Sequence, residues 1–171
     1  MENAEYLAAR LDSLEKRMEA LESAASPDGS DRAPGDTDEG LWIIDGLQHT
    51  LPGEGGVAFG GAVTTGAGVA HYQWTRTTPT LTEHAWDDQL ERVAAVAHPT
   101  RGAILRRLLQ GPASVAELVE AGLVTSSGTA YHHVAALSAA GWISKGPGGR
   151  LGIPVGRVVP LLTLVTCGED H

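Results

Sequence analysis

Between Gly111 and Lys145 two helix signals stand so close together that only a tight turn fits between them. Ser114 and Glu117 have the spacing of a capping box, in which each residue satisfies a backbone N–H at a helix start. Val115, Leu118 and Val119 follow as the apolar side of that helix. Gly122 suits its end, because glycine readily takes the left-handed conformation that terminates helices. After the turn GLVTS, the stretch SSGTAYHHVAALSAAGW places Ala130, Val134, Leu137 and Gly141 on one helical face. WISK and RLGIPV then flank GPGG, the pattern of a β-hairpin. A short helix, a turn of about four residues, a second helix and a hairpin make up a winged helix-turn-helix.

The second helix carries two adjacent histidines. At about 100° per residue, His132 lies nearly opposite the apolar stripe, with Gly128, Thr129 and Ala136 around it and Tyr131 at the edge. His133 points to the shoulder nearer the core. The two rings diverge, whereas chelation from one helix face needs a spacing of three or four. An open helix face is also no pocket for a catalytic base. The plain alternative for His132 is an exposed surface histidine, and for His133 a satisfied, half-buried one.

Upstream, Pro99 suits the first turn of a helix bearing Ile104, Leu105, Leu108 and Leu109 and stopped by Gly111-Pro112. A further helix is predicted from about Glu83 to Ala97. Residues 41–82 read as a small antiparallel β-meander, beginning with LWII as a strand. Val57, Phe59 and Val63 share one side of its second run, and Ala70, Tyr72, Trp74 and Arg76 one side of its third. Two or three strands are marginal alone, so this aromatic face must be covered. The last segment, VGRVVPLLTLV, is aliphatic.

The first 25 residues have a different period. Ala4, Leu11 and Met18 fall at a, and Leu7, Leu14 and Leu21 at d, of a coiled-coil seam. Arg10 and Arg17 at g meet Glu15 and Glu22 at e in a parallel pair, which favours a short parallel dimer over a helix packed on its own domain. Residues 26–40, SPDGSDRAPGDTDEG, read as an acidic flexible linker.

The formal charge of −9 argues against a nucleic-acid partner until it is divided along the chain. Residues 1–40 carry −7, residues 41–92 carry −4, and residues 93–171 carry +2. The acidity belongs to the first half, and the C-terminal half stands apart. One cysteine, Cys167, excludes an intrachain disulfide framework and any Cys-rich zinc site. No apolar run reaches the roughly 18 residues of a membrane span, so a soluble, cytoplasmic protein without a membrane partner is expected, nucleoid-associated where it binds DNA. Cys167, Glu169, Asp170 and His171 cluster at a terminus that is ordinarily frayed and solvated. His49, His71 and His84 form a weaker cluster still, so no metal or other cofactor is expected.

HPTRGAILRRLLQGPASVAELVEAGLVTSSGTAYHHVAALSAAGWI resembles the winged helix-turn-helix core of ArsR-type bacterial transcriptional regulators, over about residues 88–160. The resemblance rests on the HPTR start, the GPASVAEL helix, the S-S-x-T-x-x-H-H-V pattern and AGWI leading into the wing. It implies a homodimer on double-stranded DNA, not an enzyme. DNA-reading roles fall to Ser127, Thr129, Tyr131 and His132, with Lys145 and Arg150 as phosphate contacts on the wing. Arg101, Arg106 and Arg107 either reach phosphates or are merely solvated. The chain departs from metal-sensing members, because SVAELVEA has no thiol and the last segment is nearly all aliphatic.

The expected architecture is therefore mainly α with small β elements. It comprises a coiled-coil helix (1–25), the linker, the meander, a winged helix-turn-helix (83–166) with its reading helix at 127–140 and wing at 142–155, and a tail (167–171). Dimerisation is expected through residues 4–21 and 157–165, with an effector, small molecule or protein, at the meander. A protein-interaction adaptor that has lost DNA binding is the alternative.

Overall fold

The computed structural model describes residues 41–170 together with Lys16. The rest of the coiled-coil segment, with its heptad seam, the whole acidic linker and His171 lie outside the described residues. Along the described chain run α1 (Trp42–Thr50), β1 (Gly56–Thr65), β2 (Gly68–Thr77), α2 (Thr78–Glu83), α3 (Asp87–Val96) and α4 (Pro99–Leu108). Then come α5 (Val115–Glu120), α6 (Ser127–Ala139), β3 (Ser144–Lys145), β4 (Leu151–Gly152) and α7 (Val155–Thr166). This is a mixed α+β fold with two small antiparallel sheets, β1–β2 and β3–β4. No helix among the described residues is long and apolar enough to cross a membrane.

Two stretches differ from expectation. LWII begins a helix, α1, where a strand is predicted. A four-residue apolar run has no period of its own, and the residues after it decide its state. Asp45 in the first turn and His49 in the last suit the helix dipole, and the Thr50 hydroxyl donates to Gly46 O at 2.7 Å. Trp42 is thus on a helix, whereas Tyr72 and Trp74 are on a strand. The helix predicted from about Glu83 to Ala97 starts later, as α3, and a separate short helix, α2, precedes it. Thr77 caps α2 with Pro79 in its first turn. His84 then turns extended, and Trp86 Nε1 donates to Leu81 O at 2.7 Å before α3 begins.

The meander is a single hairpin. Its register sets Phe59 opposite Trp74, Gly61 opposite Tyr72 and Val63 opposite Ala70, so the two predicted faces are one. Near the tip this face is covered by α7, where Ala70, Val158 and Val159 are buried together and Val63 and Tyr72 pack beside them. The tip itself lies on the chain after α4. Ala67 N–H donates to Leu109 O at 3.1 Å, and a Cβ at Gly66 would come within 2.5 Å of Gln110 O, which only glycine avoids. Toward the open end, the Phe59, Tyr72 and Trp74 rings stack at 5.8 and 6.3 Å. Arg76 lies 4.0 Å over Trp74.

The main core joins Ile104, Leu105 and Leu108 of α4, Leu118 of α5, Leu137 of α6 and Leu161 of α7. Trp142, also buried, donates from Nε1 to Arg92 O at 2.7 Å. Arg92 Nε in turn donates to Ala140 O at 3.3 Å, tying α3 to the C-terminal end of α6.

Candidate nucleic-acid interface

Local signals set α5 and α6 in place. The capping box of α5 is complete, with Ser114 N–H donating to Glu117 Oε2 at 2.6 Å and Glu117 N–H to Ser114 Oγ at 3.2 Å. Gly122, at φ 69°, takes the left-handed conformation that ends it. Ser126 then caps α6, its Oγ accepting from Thr129 N–H at 3.2 Å and lying 3.0 Å from Thr129 Oγ1.

Burial divides α6 cleanly. Ala130, His133, Val134 and Leu137 are buried. Ser127, Gly128, Thr129, Tyr131, His132 and Ala135 are exposed. At about 100° per residue, Gly128 and Ala135 form the middle of the exposed face, flanked by Tyr131 and His132. Two small residues there let the helix backbone come close to whatever it meets, with the larger polar side chains reaching past on either side.

The hairpin after α6 is short. Ser144 pairs with Gly152 and Lys145 with Leu151, and Leu151 also bridges to Ala113. Its tip turns through Gly148 and Gly149, both left-handed. Lys145 is exposed and makes no ion pair among the described residues. Arg150 is placed differently. Its Nη2 donates to Pro112 O at 2.6 Å and pairs with Glu117 Oε2 at 2.9 Å, which locks the hairpin base onto the capping box. The N–H of Ser114 above all, and Arg150 beside it, hold Glu117 below the usual carboxylate range.

Other arginines likewise hold backbone carbonyls. Arg101 donates to Ala95 O and, at 2.9 Å, to Ala94 O, and Arg107 to Gly111 O at 3.2 Å. Arg157 lies over the Trp142 ring. Arg106 is exposed and unpaired among the described residues. Sequence reasoning missed these uses because the partners are backbone carbonyls and a ring, which no charge pattern announces. It also missed His98, whose ring is 4.9 Å from that of His133.

Charge distinguishes the two halves of the exposed face of α6. No acidic residue occurs between Glu120 and Glu169, a run containing α6, the hairpin and α7. A groove beside the C-terminal half of α6 is lined by Asp88, Glu91 and Arg92 of α3 and by Ala136, Ala139 and Ala140. The N-terminal half, where the helix dipole is positive, is the half open to an anion. Among the described residues no group of three or more His, Cys, Asp or Glu is placed to hold a metal ion. No family model matches the chain, and no curated protein or solved structure matches it.

Proposed function

We propose that the protein is a dimeric, sequence-specific DNA-binding transcriptional regulator in which residues 83–166 act as an ArsR-like winged helix-turn-helix. The N-terminal half of α6 enters the major groove, where Tyr131 and His132 meet base edges and Ser127 and Thr129 contact the strand alongside. Lys145 on the wing neutralises a phosphate. A dimer sets two such helices about 34–36 Å apart, on half-sites one turn from each other. The observation that carries this reading is the sidedness of α6. Its larger aliphatic residues, Val134 and Leu137, are buried with Ala130, and its exposed face is small-centred and free of acids.

Dimerisation through residues 4–21 and 157–165 belongs to the same proposal. Within the second segment Val158, Val159 and Leu161 are buried inside the chain's own fold. Contact with a partner there falls to the half-buried Leu162 and Leu164 and to the exposed Val165. An effector would act at the open end of the β1–β2 hairpin, where Val57 and Trp74 are exposed.

The test begins by selecting genomic fragments bound by the purified full chain, followed by titrations on selected and scrambled duplexes. His132→Ala should cost about 1–3 kcal/mol on the selected site and little on the scrambled one. Lys145→Ala should weaken both and lower the salt slope by roughly one. Failure to enrich any sequence refutes specific reading.

A protein-interaction adaptor is the second reading, and the arginine placement favours it. Arg92, Arg101, Arg107 and Arg150 are engaged within the chain, which leaves few cations for phosphates. Indifference of binding to both His132→Ala and Lys145→Ala selects the adaptor.

A further inference from the structure

His133 is the one buried polar or charged side chain among the described residues, and its Nδ1 has no hydrogen-bond partner there. The His98 ring lies 4.9 Å from it and the His132 ring 5.5 Å, centroid to centroid. His98 comes from the N-cap of α4, where its Nδ1 accepts from Thr100 N–H at 3.2 Å. That bond keeps the His98 Nδ1 unprotonated, so neutral His98 carries its proton on Nε2. The groups facing His133 are His98 and Arg101 from α4 and His132 from α6 itself. None is a carboxylate. Burial first, and then these neighbours, hold His133 below its ordinary value.

We propose that His133 is an acid-sensitive latch on the seating of α6 against α4, so that acidification loosens the helix and weakens DNA reading. The second half of this inference rests on the proposed function; the first does not. Neutral His133 leaves Nδ1 as a bare acceptor, a smaller cost to bury than a charge. The imidazolium places an N–H on Nδ1 with nothing to receive it, against His98, Arg101 and His132. Relief requires the ring to reach water, and that displaces α6. Tyr131 and His132 stand on the same turn of α6, so the exposed face moves with it.

The sign is specific. Folded His133 binds its proton more weakly than a histidine of the unfolded chain. Its contribution to stability is therefore full above the unfolded value, about 6.5, and is lost as pH falls through the lower folded value. Protonation of exposed histidines acts on DNA in the opposite direction, since added positive charge tightens phosphate binding. The latch alone predicts weaker binding in acid.

The test takes the full chain from about pH 8 to about pH 5, by the NMR titration of the histidine ring protons and by melting curves without DNA. The same series is repeated for His133→Phe, which keeps the ring and removes ionisation, and for His71→Gln on the exposed side of β2 as a control. The His133 resonance should titrate below about 6.5. The melting midpoint of wild type and of His71→Gln should fall by a few degrees more than that of His133→Phe. A His133 that titrates at or above about 6.5 overturns the latch, and so does an equal fall in His133→Phe. Where His133→Phe does not fold, the wild-type titration decides alone. On a selected duplex, wild-type affinity should drop severalfold in acid while that of His133→Phe holds. Tighter binding in acid by both proteins overturns the coupling to DNA. If no duplex is bound at any pH, the proposed function fails, and the resonance and melting curves still judge the latch.

Discussion

The seam between the β1–β2 hairpin and α7 depends on few atoms, and Val159 is central to it. Its side chain is buried with Ala70 and Val158, directly under Gly61, where a Cβ would lie 3.3 Å from Val159 Cγ1 and 3.7 Å from Cγ2. Val159→Ala removes two carbons whose burial is worth about 0.8 kcal/mol each. The cavity left by partial relaxation brings the cost to about 2–3 kcal/mol, a fall in melting temperature of roughly 5–10 °C for a chain of this size. Gly61→Ala alone must displace Val159 by a few tenths of an ångström, which offsets the gain of about 0.5–1 kcal/mol from replacing a strand glycine. In the double variant the new methyl fills the space that Val159→Ala vacates. The pair should therefore be more stable than the sum of its parts by about 1 kcal/mol. Urea unfolding gives the cycle, and hydrogen exchange locates it. Because two strands alone are marginal, hairpin amides such as those of Val63 and Tyr72 should lose protection in Val159→Ala ahead of those in α4. Additivity within about 0.3 kcal/mol, with hairpin protection unchanged, would refute the seam.

Trp142→Phe keeps a ring in the core but removes the indole N–H bonded to Arg92 O and leaves space where the larger ring packed. It should cost about 1–3 kcal/mol by urea unfolding. Glu117, held below the carboxylate range in the fold, contributes stability that is present above its unfolded value and lost as pH falls through the folded one. Glu117→Gln should accordingly flatten the decline of the melting midpoint between about pH 5 and pH 3, read by differential scanning calorimetry.

The parts of this fold that could be read in advance are those whose signals are local. Ser114, Glu117 and Gly122 mark α5 within nine positions, and the stripe of Ala130, Val134 and Leu137 orients α6 without reference to anything distant. LWII misleads because four apolar residues suit a strand and a helix equally, and only Asp45 and His49 beyond it favour the helix. The short helix α2 is invisible in advance because TTPTL is rich in threonine, a weak helix former, and only the cap at Thr77 and Pro79 mark its start. The aliphatic residues of α7 show that a face is covered but not by what; the answer, Ala70, stands almost ninety positions earlier. The pairing of His98 with His133 is of the same kind, with no spacing rule to announce it. Arg150 reads as a free cation on a wing until the fold brings Glu117 beneath it.

Charge presents the same contrast between what a sequence counts and what a surface offers. A chain of −9 places its acids outside the run from Ala121 to Gly168, so total charge understates how open α6 is to an anion. The cations of the second half overstate it, because most of its arginines are fixed to carbonyls, to Glu117 or to a ring. Lys145 and Arg106 are left exposed and unpaired among the described residues. Were both to reach phosphates, one copy would neutralise about two, for a salt slope near −2, which is shallow for a specific complex. Two copies double that slope and read two half-sites with one association. On this arithmetic the DNA-binding reading calls for a dimer, since Lys145 and Arg106 alone give one copy of residues 83–166 few phosphate contacts for a specific complex.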